Sequence, residues 1–506
     1  MKKINHTISF PGLTGACSLI WALLLVTPAW SQVSFSDVAV AAGVNSSYLG
    51  TDAAWGDYDN DGYLDLYVTN WGTALGVPYN HLYRNDGDGT FTNVGLTAGV
   101  ASDRNSSSGA WGDYDNDGDL DLYVTNWVAQ DLLYRNNGNG TFTNVTGSAR
   151  LDINAEGRKM EAVWADFDLD GWLDLYLCKY YAANELYHNE QDGSFTQVAG
   201  LAGVDDVRDS DAGLWADFND DAYPDLLVTN RDQDNSFYLN NGDGTFEEIS
   251  DAIGLGALAV GKAAAVLDYD LDGRLDLLAV NIGSNRLYGN QGFPTGFSDV
   301  SLASGIKTAV SERIHFDAAV GDLDGDGDAD VFLASGGESN NGEINRLLLN
   351  GAGLFADATA AQVTPPALEY STAVAAGDFD NDFIPDIYVV NSGANRLYGG
   401  ASSGAFLKVR VVGAAGSGGE VNVQGLGTRV YLYLANTVTL VGLVEIGSAG
   451  SAPEALIGLP AGNTYDVEVK FPSISGWTTV DKVTNPELGL GGIDPLGGSQ
   501  LITVEE

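Results

Sequence analysis

Asp57-Tyr58-Asp59-Asn60-Asp61-Gly62-Tyr63-Leu64-Asp65 decides how this chain is read, because the same nine-residue pattern returns at Asp113, Asp166, Asp217, Asp268, Asp322 and Asp378. The intervals are 56, 53, 51, 51, 54 and 56 residues. Near-even recurrence at this period predicts seven copies of one structural unit.

Around the acidic loop each unit keeps one internal order, clearest in the second. An apolar stretch, Gly109-Ala110-Trp111, enters the loop, and Leu120-Asp121-Leu122-Tyr123-Val124-Thr125 leaves it. Leu132-Leu133-Tyr134 follows, then the turn Asn136-Asn137-Gly138-Asn139-Gly140, then Thr141-Phe142-Thr143-Asn144-Val145. Aromatic and β-branched residues between Gly and Asn turns predict four short antiparallel strands per unit, and no segment has a helical period. Seven four-stranded units of about 50 residues predict an all-β fold, a seven-bladed β-propeller over 32–404. The fourth-strand phenylalanine recurs at Phe91, Phe142, Phe195, Phe246, Phe297 and Phe355, and one more copy, Phe35-Ser36-Asp37-Val38, precedes the first loop. That displaced strand is expected to complete the seventh blade and close the ring, with Phe406 as the competitor for its place.

The loop chemistry is that of a hard cation. Positions 1, 3, 5 and 9 are Asp57, Asp59, Asp61 and Asp65, then Asp113, Asp115, Asp117 and Asp121, then Asp166, Asp168, Asp170 and Asp174. They continue as Asp217, Asn219, Asp221 and Asp225, as Asp268, Asp270, Asp272 and Asp276, as Asp322, Asp324, Asp326 and Asp330, and as Asp378, Asp380, Asp382 and Asp386. Position 7 is Tyr63, Asp119, Trp172, Tyr223, Arg274, Asp328 or Ile384, a scatter that fits a backbone carbonyl ligand. Such oxygen sets suit Ca2+, up to seven ions, better than Mg2+ or Zn2+. An EF-hand shares the first six positions but needs a Glu at position 12. Here position 12 is Val68, Val124, Leu177, Val228, Ala279, Leu333 or Val389, so the ninth Asp is expected to close the site instead. Position 6 departs from Gly at Ala222 and Phe383, and the loops 217–225 and 378–386 are therefore expected to bind most weakly.

Composition sets further bounds. The chain carries 23 Lys and Arg against 69 Asp and Glu, a net charge of −46. That argues against nucleic acid or anionic membrane surfaces as partners. Residues 1–31 combine Lys2 and Lys3, the apolar run Leu19 to Val26 and a small-residue ending at Ser31, the pattern of a secretory signal peptide. The apolar run is short for a retained anchor, and Cys17 precedes it, which is the wrong order for a lipoprotein. The remaining Cys178 has no partner for a disulfide, so bound cations are expected to brace the secreted ring. After residue 404 the acidic loops end and short alternating runs appear, including 406–411, 429–434 and 465–471. These predict a small β-sandwich over 405–506.

The loops, the Trp-Gly-Asp-Tyr-Asp-Asn-Asp-Gly phrases at Trp55 and Trp111 and the Asn-Gly-Asp-Gly-Thr-Phe phrase at Asn241 resemble FG-GAP/VCBS repeats, which also build the propeller of integrin α chains. Asn422-Val423-Gln424-Gly425-Leu426-Gly427-Thr428-Arg429-Val430 and Phe471-Pro472 resemble an ASPIC/UnbV domain, with Phe471 where that family usually has Trp. Together they resemble the cartilage acidic protein family. The resemblance implies an extracellular calcium-binding protein of adhesive or matrix type.

Strand order places the acidic loops and the Asn-Gly turns on one face of the disc, so a ligand is expected on the other. The segments expected there carry Trp71, Arg104, Arg158, Lys159, Tyr180, Tyr181, Arg208, Lys262, Arg313 and His315, a set that suits an anionic sugar or a protein carboxylate. No nucleophile or acid-base pair stands out beyond the loops, although Glu161 and Asp317 are expected to face one another across the central channel. The leading expectation is a secreted binding or adhesion protein for an extracellular protein or glycan, without catalysis. A lectin or carbohydrate-active enzyme on the same scaffold, or a self-associating subunit of an extracellular fibre, are the alternatives.

Overall fold

The computed structural model describes residues 33–505 apart from 73–78, 152–155, 232, 256–260, 311–312, 337–341, 365–367, 413–425, 436, 448–453, 462, 475 and 481–499. The expected signal peptide lies outside the described residues. From Val33 to Ser402 the strands of the described residues group into seven units of four antiparallel strands, the last of which also carries Val363–Thr364 as a parallel edge strand beside Val33–Asp37. Blade one is typical, with strands Leu49–Gly56, Asp65–Trp71, His81–Asn85 and Phe91–Asn93 in sequential order. Blades five and six also share an edge pairing, Ile282 with Ile314 and Gly283 with Arg313. The first strand of each blade lies beside those of its two neighbours, and blade one lies beside blade seven.

Closure is by the displaced strand. Val33–Asp37 pairs antiparallel with Arg396–Ser402, Phe35 opposite Gly400, and so supplies the fourth strand of blade seven. Phe406 instead begins the tail, in the strand Ala405–Val412. Phe35 is fully buried among Leu347, Ile387, Val389 and Tyr398.

Blades are joined by packing that repeats with the sequence. The indoles of Trp55, Trp111 and Trp164 donate across the seam to the carbonyls of Ala375, Ala54 and Ala110, at 3.2–3.4 Å. The glycine after Trp111 makes room for the next indole, since a Cβ on Gly112 would stand 2.7 Å from the Trp164 ring. One difference from the sequence reading is a set of single-turn helices between blades, including Ala39–Ala42, Gly95–Ala98 and Ala199–Ala202. Each ends at a left-handed glycine, Gly43, Gly99 or Gly203. Four residues are too few to leave a helical period in the sequence.

The tail forms two facing sheets. One orders Glu454–Leu459, Ala405–Val412 and Gln500–Glu505, and the other orders Leu440–Glu445, Arg429–Leu434, Tyr465–Phe471 and Thr478–Val480. Leu407, Val409, Val430, Leu432, Ile457, Val467 and Val469 fill the space between them. Among the described residues no helix is long and apolar enough to cross a membrane.

Because Phe35 seals the last blade, Phe35→Ala is expected to cost about 3–5 kcal/mol, the usual range for emptying a buried phenylalanine site. Denaturant unfolding measures this, and a loss below about 1 kcal/mol would mean that the strand does not hold the ring shut.

Candidate metal centre

Each acidic loop is folded by its own carboxylates onto its own backbone. Asp57 accepts from the Asp61 and Gly62 N–H groups at 3.0 and 2.9 Å, and Asp61 accepts from Tyr63 N–H at 2.9 Å. The sixth position does require positive φ: Gly62 and Gly118 sit at +90°, and Ala222 and Phe383 are held at +79° and +72°. The ninth carboxylate is buried, with Asp65 Oδ2 accepting from Tyr58 N–H at 3.2 Å and Oδ1 from Asn85 N–H at 2.7 Å.

That asparagine was not singled out by the sequence reading. Its amide reaches across the seam to the second loop residue of the preceding blade: Asn85 to the Phe379 carbonyl, Asn136 to Tyr58, Asn189 to Tyr114 and Asn240 to Phe167, at 2.7–2.8 Å. The signal was available, since an Asn ends the third strand of six blades just before the Gly-rich turn. Blade seven has Gly399-Gly400 there, and Gly400 N–H serves Asp386 without a cross-seam bond of this kind.

The oxygens left over converge. Carboxylate oxygens of Asp57, Asp59 and Asp61 lie within 4.8 Å of one another, as do those of Asp113, Asp115 and Asp121, of Asp166, Asp168 and Asp174, and of Asp268, Asp270 and Asp276. Oxygens on opposite sides of a cation with 2.3–2.6 Å bonds stand at about this separation. Asp59, Asp115 and Asp168 each keep an Oδ1 shielded from solvent with no hydrogen-bond partner. A buried, unpaired carboxylate oxygen is costly unless a cation meets it. The third-position acids therefore fit a hard cation, and so do the first and ninth beside them. Burial first, and then the neighbouring carboxylates, pushes Asp65 and Asp121 up to about 9 and Asp276 to about 8. In loop three His188 joins the cluster, its Nε2 3.1 Å from Asp168 Oδ2, and that hydrogen bond raises its pKa.

The FG-GAP-like repeat profile matches residues 57–124, 125–177, 166–228, 217–279, 268–333 and 322–389, and all but the second run from one acidic loop through the next. The chain belongs to the FG-GAP-like repeat family. Cartilage acidic protein 1 of Mus musculus is 26% identical over 288 residues, 52% of this chain and 44% of that protein, and the Homo sapiens protein is 24% identical over 287 residues, 52% and 43%. The chain thus spans less than half the length of these curated relatives. Solved structures with a similar course include an Agrocybe aegerita lectin described as recognising non-reducing terminal N-acetylglucosamine, 18% identical, covering 63% of this chain and 81% of that one at a TM-score of 0.40. Another is BBS1N in complex with ARL6DN, 11% identical, covering 73% and 97% at a TM-score of 0.46.

The repeat loops are not all open to solvent, because the tail sits on their face. Arg429, from the phrase that marks the tail, lies over loop four. Its Nη1 is 2.9 Å from Asp220 Oδ1, its Nη2 donates to the Asp217 carbonyl, and Glu445 and the Trp477 ring hold it from the tail side. Gly458 N–H donates to Asp322 Oδ2 of loop six at 2.5 Å, and Lys408 pairs with Asp378 of loop seven. The fourth loop position follows this footprint. Asn381, Asn60 and Asn116 donate onward to the carbonyls of Gly62, Gly118 and Gly171, linking loops seven, one, two and three. Leu169 and Leu271 hold positive φ at that position instead, and both line cavities shared with tail residues.

The opposite face is less basic than the sequence suggested. Lys159 is buried, Lys262 pairs with Asp211 at 2.9 Å, Arg208 pairs with Asp206 at 3.5 Å, and His315 is buried beside Asn285. The side chain of Arg313 lies outside the described residues. Among the described residues, Arg104 stays partly exposed and donates to the Gln130 carbonyl, and beside it stands an aromatic group. Trp71 and Trp127 meet edge to face at 5.1 Å, and Arg158 lies between Trp127 and Tyr181 at 4.8 and 5.0 Å. Tyr181 is 70% exposed.

Glu161 and Asp317 both line an axial cavity of about 230 Å³, together with Asp52. Each accepts a backbone N–H from a neighbouring blade: Asp52 from Gly109, Glu161 from Gly213 and Asp317 from Val374, at 2.9–3.1 Å. Burial first, and then Asp52, pushes Asp317 up to about 7. With its folded pKa raised, Asp317 contributes stability that is present below the unfolded value and lost as pH rises from about 4 through about 7. In saturating Ca2+, the stability of the wild type relative to Asp317→Asn is therefore expected to fall by about 4 kcal/mol across that window and to level off above it. A difference that does not vary with pH would contradict the buried protonated state.

Proposed function

We propose that this FG-GAP protein is a secreted, Ca2+-stabilised propeller that captures an extracellular protein or glycan on the face away from its metal loops. Loops one, two, three and five have the oxygen sets for the ions, and the ions act as braces within the ring. The tail, read as ASPIC/UnbV-like, positions the ring and does not itself form the capture surface. On this reading the protein binds and does not catalyse, and Asp52, Glu161 and Asp317 hold neighbouring blades together through backbone N–H groups.

The observation that carries the reading is the placement of the tail. It covers loops four, six and seven, which leaves the other face as the broad surface, with an aromatic cluster of half-buried Trp71 and Trp127 and exposed Tyr181. Aromatic faces flanked by Arg158 suit both the apolar face of a sugar ring and a protein hot spot. Trp127→Ala and Tyr181→Ala are expected to weaken capture at least tenfold on a glycan array or a panel of extracellular matrix proteins, with the melting temperature shifted by less than about 3 °C. Capture that survives both changes, or that is lost when only the loop face is altered, would place recognition elsewhere.

A further inference from the structure

Loop seven does not fit a calcium ion as its neighbours do. Its sixth position is Phe383 in place of glycine, at a φ of +72°. Its first carboxylate, Asp378, is fully buried and already faces a charge, the Lys408 ammonium, whose side chain is only 3% exposed. Lys408 comes from the first tail strand, so a segment outside the repeat supplies a cation to a repeat loop. Three oxygens lie around the ammonium: Asp378 Oδ2 as an ion pair, Asn381 Oδ1 as a hydrogen-bond acceptor at 3.1 Å, and Glu454 Oε1 as a second ion pair at 3.2 Å. The Phe383 ring lies beneath the ammonium at 5.5 Å, where glycine would leave open space. Its charge also reaches Asp380 and Asp382, where it opposes the upward push of burial on both carboxyls.

We infer that the Lys408 ammonium is the resident cation of loop seven, in place of calcium, and that this buried pair fastens the tail to the propeller without any metal. The surrounding contacts are built for that role. Asn381 accepts from Lys408 through Oδ1 while its Nδ2 donates to the Gly62 carbonyl of loop one at 2.9 Å, so the ammonium is tied into the chain of loops. Glu454, itself 3% exposed, brings a second tail group to the same charge. A calcium ion at Asp378 would have to expel the ammonium, leaving a buried lysine beside a divalent cation, and that arrangement is strongly repulsive.

The inference rests on the reading that the other loops bind calcium, and the test separates the two. Bound Ca2+ per chain is counted by equilibrium dialysis on the full chain for the wild type, Asp57→Asn and Asp378→Asn. The expected result is one ion fewer for Asp57→Asn and no change for Asp378→Asn. No loss in Asp57→Asn would overturn the calcium reading, whereas loss of one ion in Asp378→Asn would overturn this inference. Should Asp378→Asn fail to fold, a crystal structure of the wild type grown in calcium decides the matter. An ion at loop one with the Lys408 ammonium against Asp378 supports the inference, and an ion bound to Asp378 with Lys408 displaced refutes it.

Discussion

Four carboxyl-bearing positions folded into nine residues repel one another, and in this molecule the repulsion is repeated around a ring. Burial sharpens it, because the ninth aspartate is sealed under its own hairpin and the first is partly or wholly covered. Backbone N–H groups satisfy many of these oxygens but bring no net positive charge. On the proposed reading, a compensating cation is the condition on which the loop geometry, and through it the blade, depends. Loops one to three leave a third-position oxygen for a metal to meet, while loop seven meets a lysine.

The loops are also mechanical joints. The ninth aspartate grips the asparagine that ends the third strand, and the amide of that asparagine holds the preceding blade. A charge held in one loop thus stiffens its own hairpin and the seam beside it. Asn381, Asn60 and Asn116 extend the connection sideways from loop seven to loop three, and tail residues cover loops four, six and seven. The repeat face is in this way built for internal cohesion, and the outward aromatic surface lies opposite.

Much of this was legible in the sequence. The loop period gave the blades, the extra Phe35 strand gave the closure, and Gly at position 6 gave the positive φ that Ala222 and Phe383 were read as violating. The docking of the tail was not legible, because Lys408 and Arg429 are brought to loops seven and four by tertiary packing and by no local pattern. Two hints existed, since Leu169 and Leu271 place apolar side chains at a loop position that is Asn in three copies. An apolar residue held at positive φ on a polar hairpin makes sense when something covers it. The basic residues assigned to the opposite face illustrate the reverse error: sequence places a charge on a face but does not reveal the buried acid, such as Asp211 for Lys262, that already neutralises it.

The central claim is that a cation is needed to hold the loop carboxylates together, and thermal unfolding in Ca2+ against excess chelator measures it directly. Each ion bound at tenfold saturation adds about 1.4 kcal/mol, so four or more sites together add on the order of 5 kcal/mol or more. For a ring of this size the melting temperature is expected to fall by about 10 °C on chelation and to recover when Ca2+ is restored. An unfolding curve that is the same in both conditions would contradict the account.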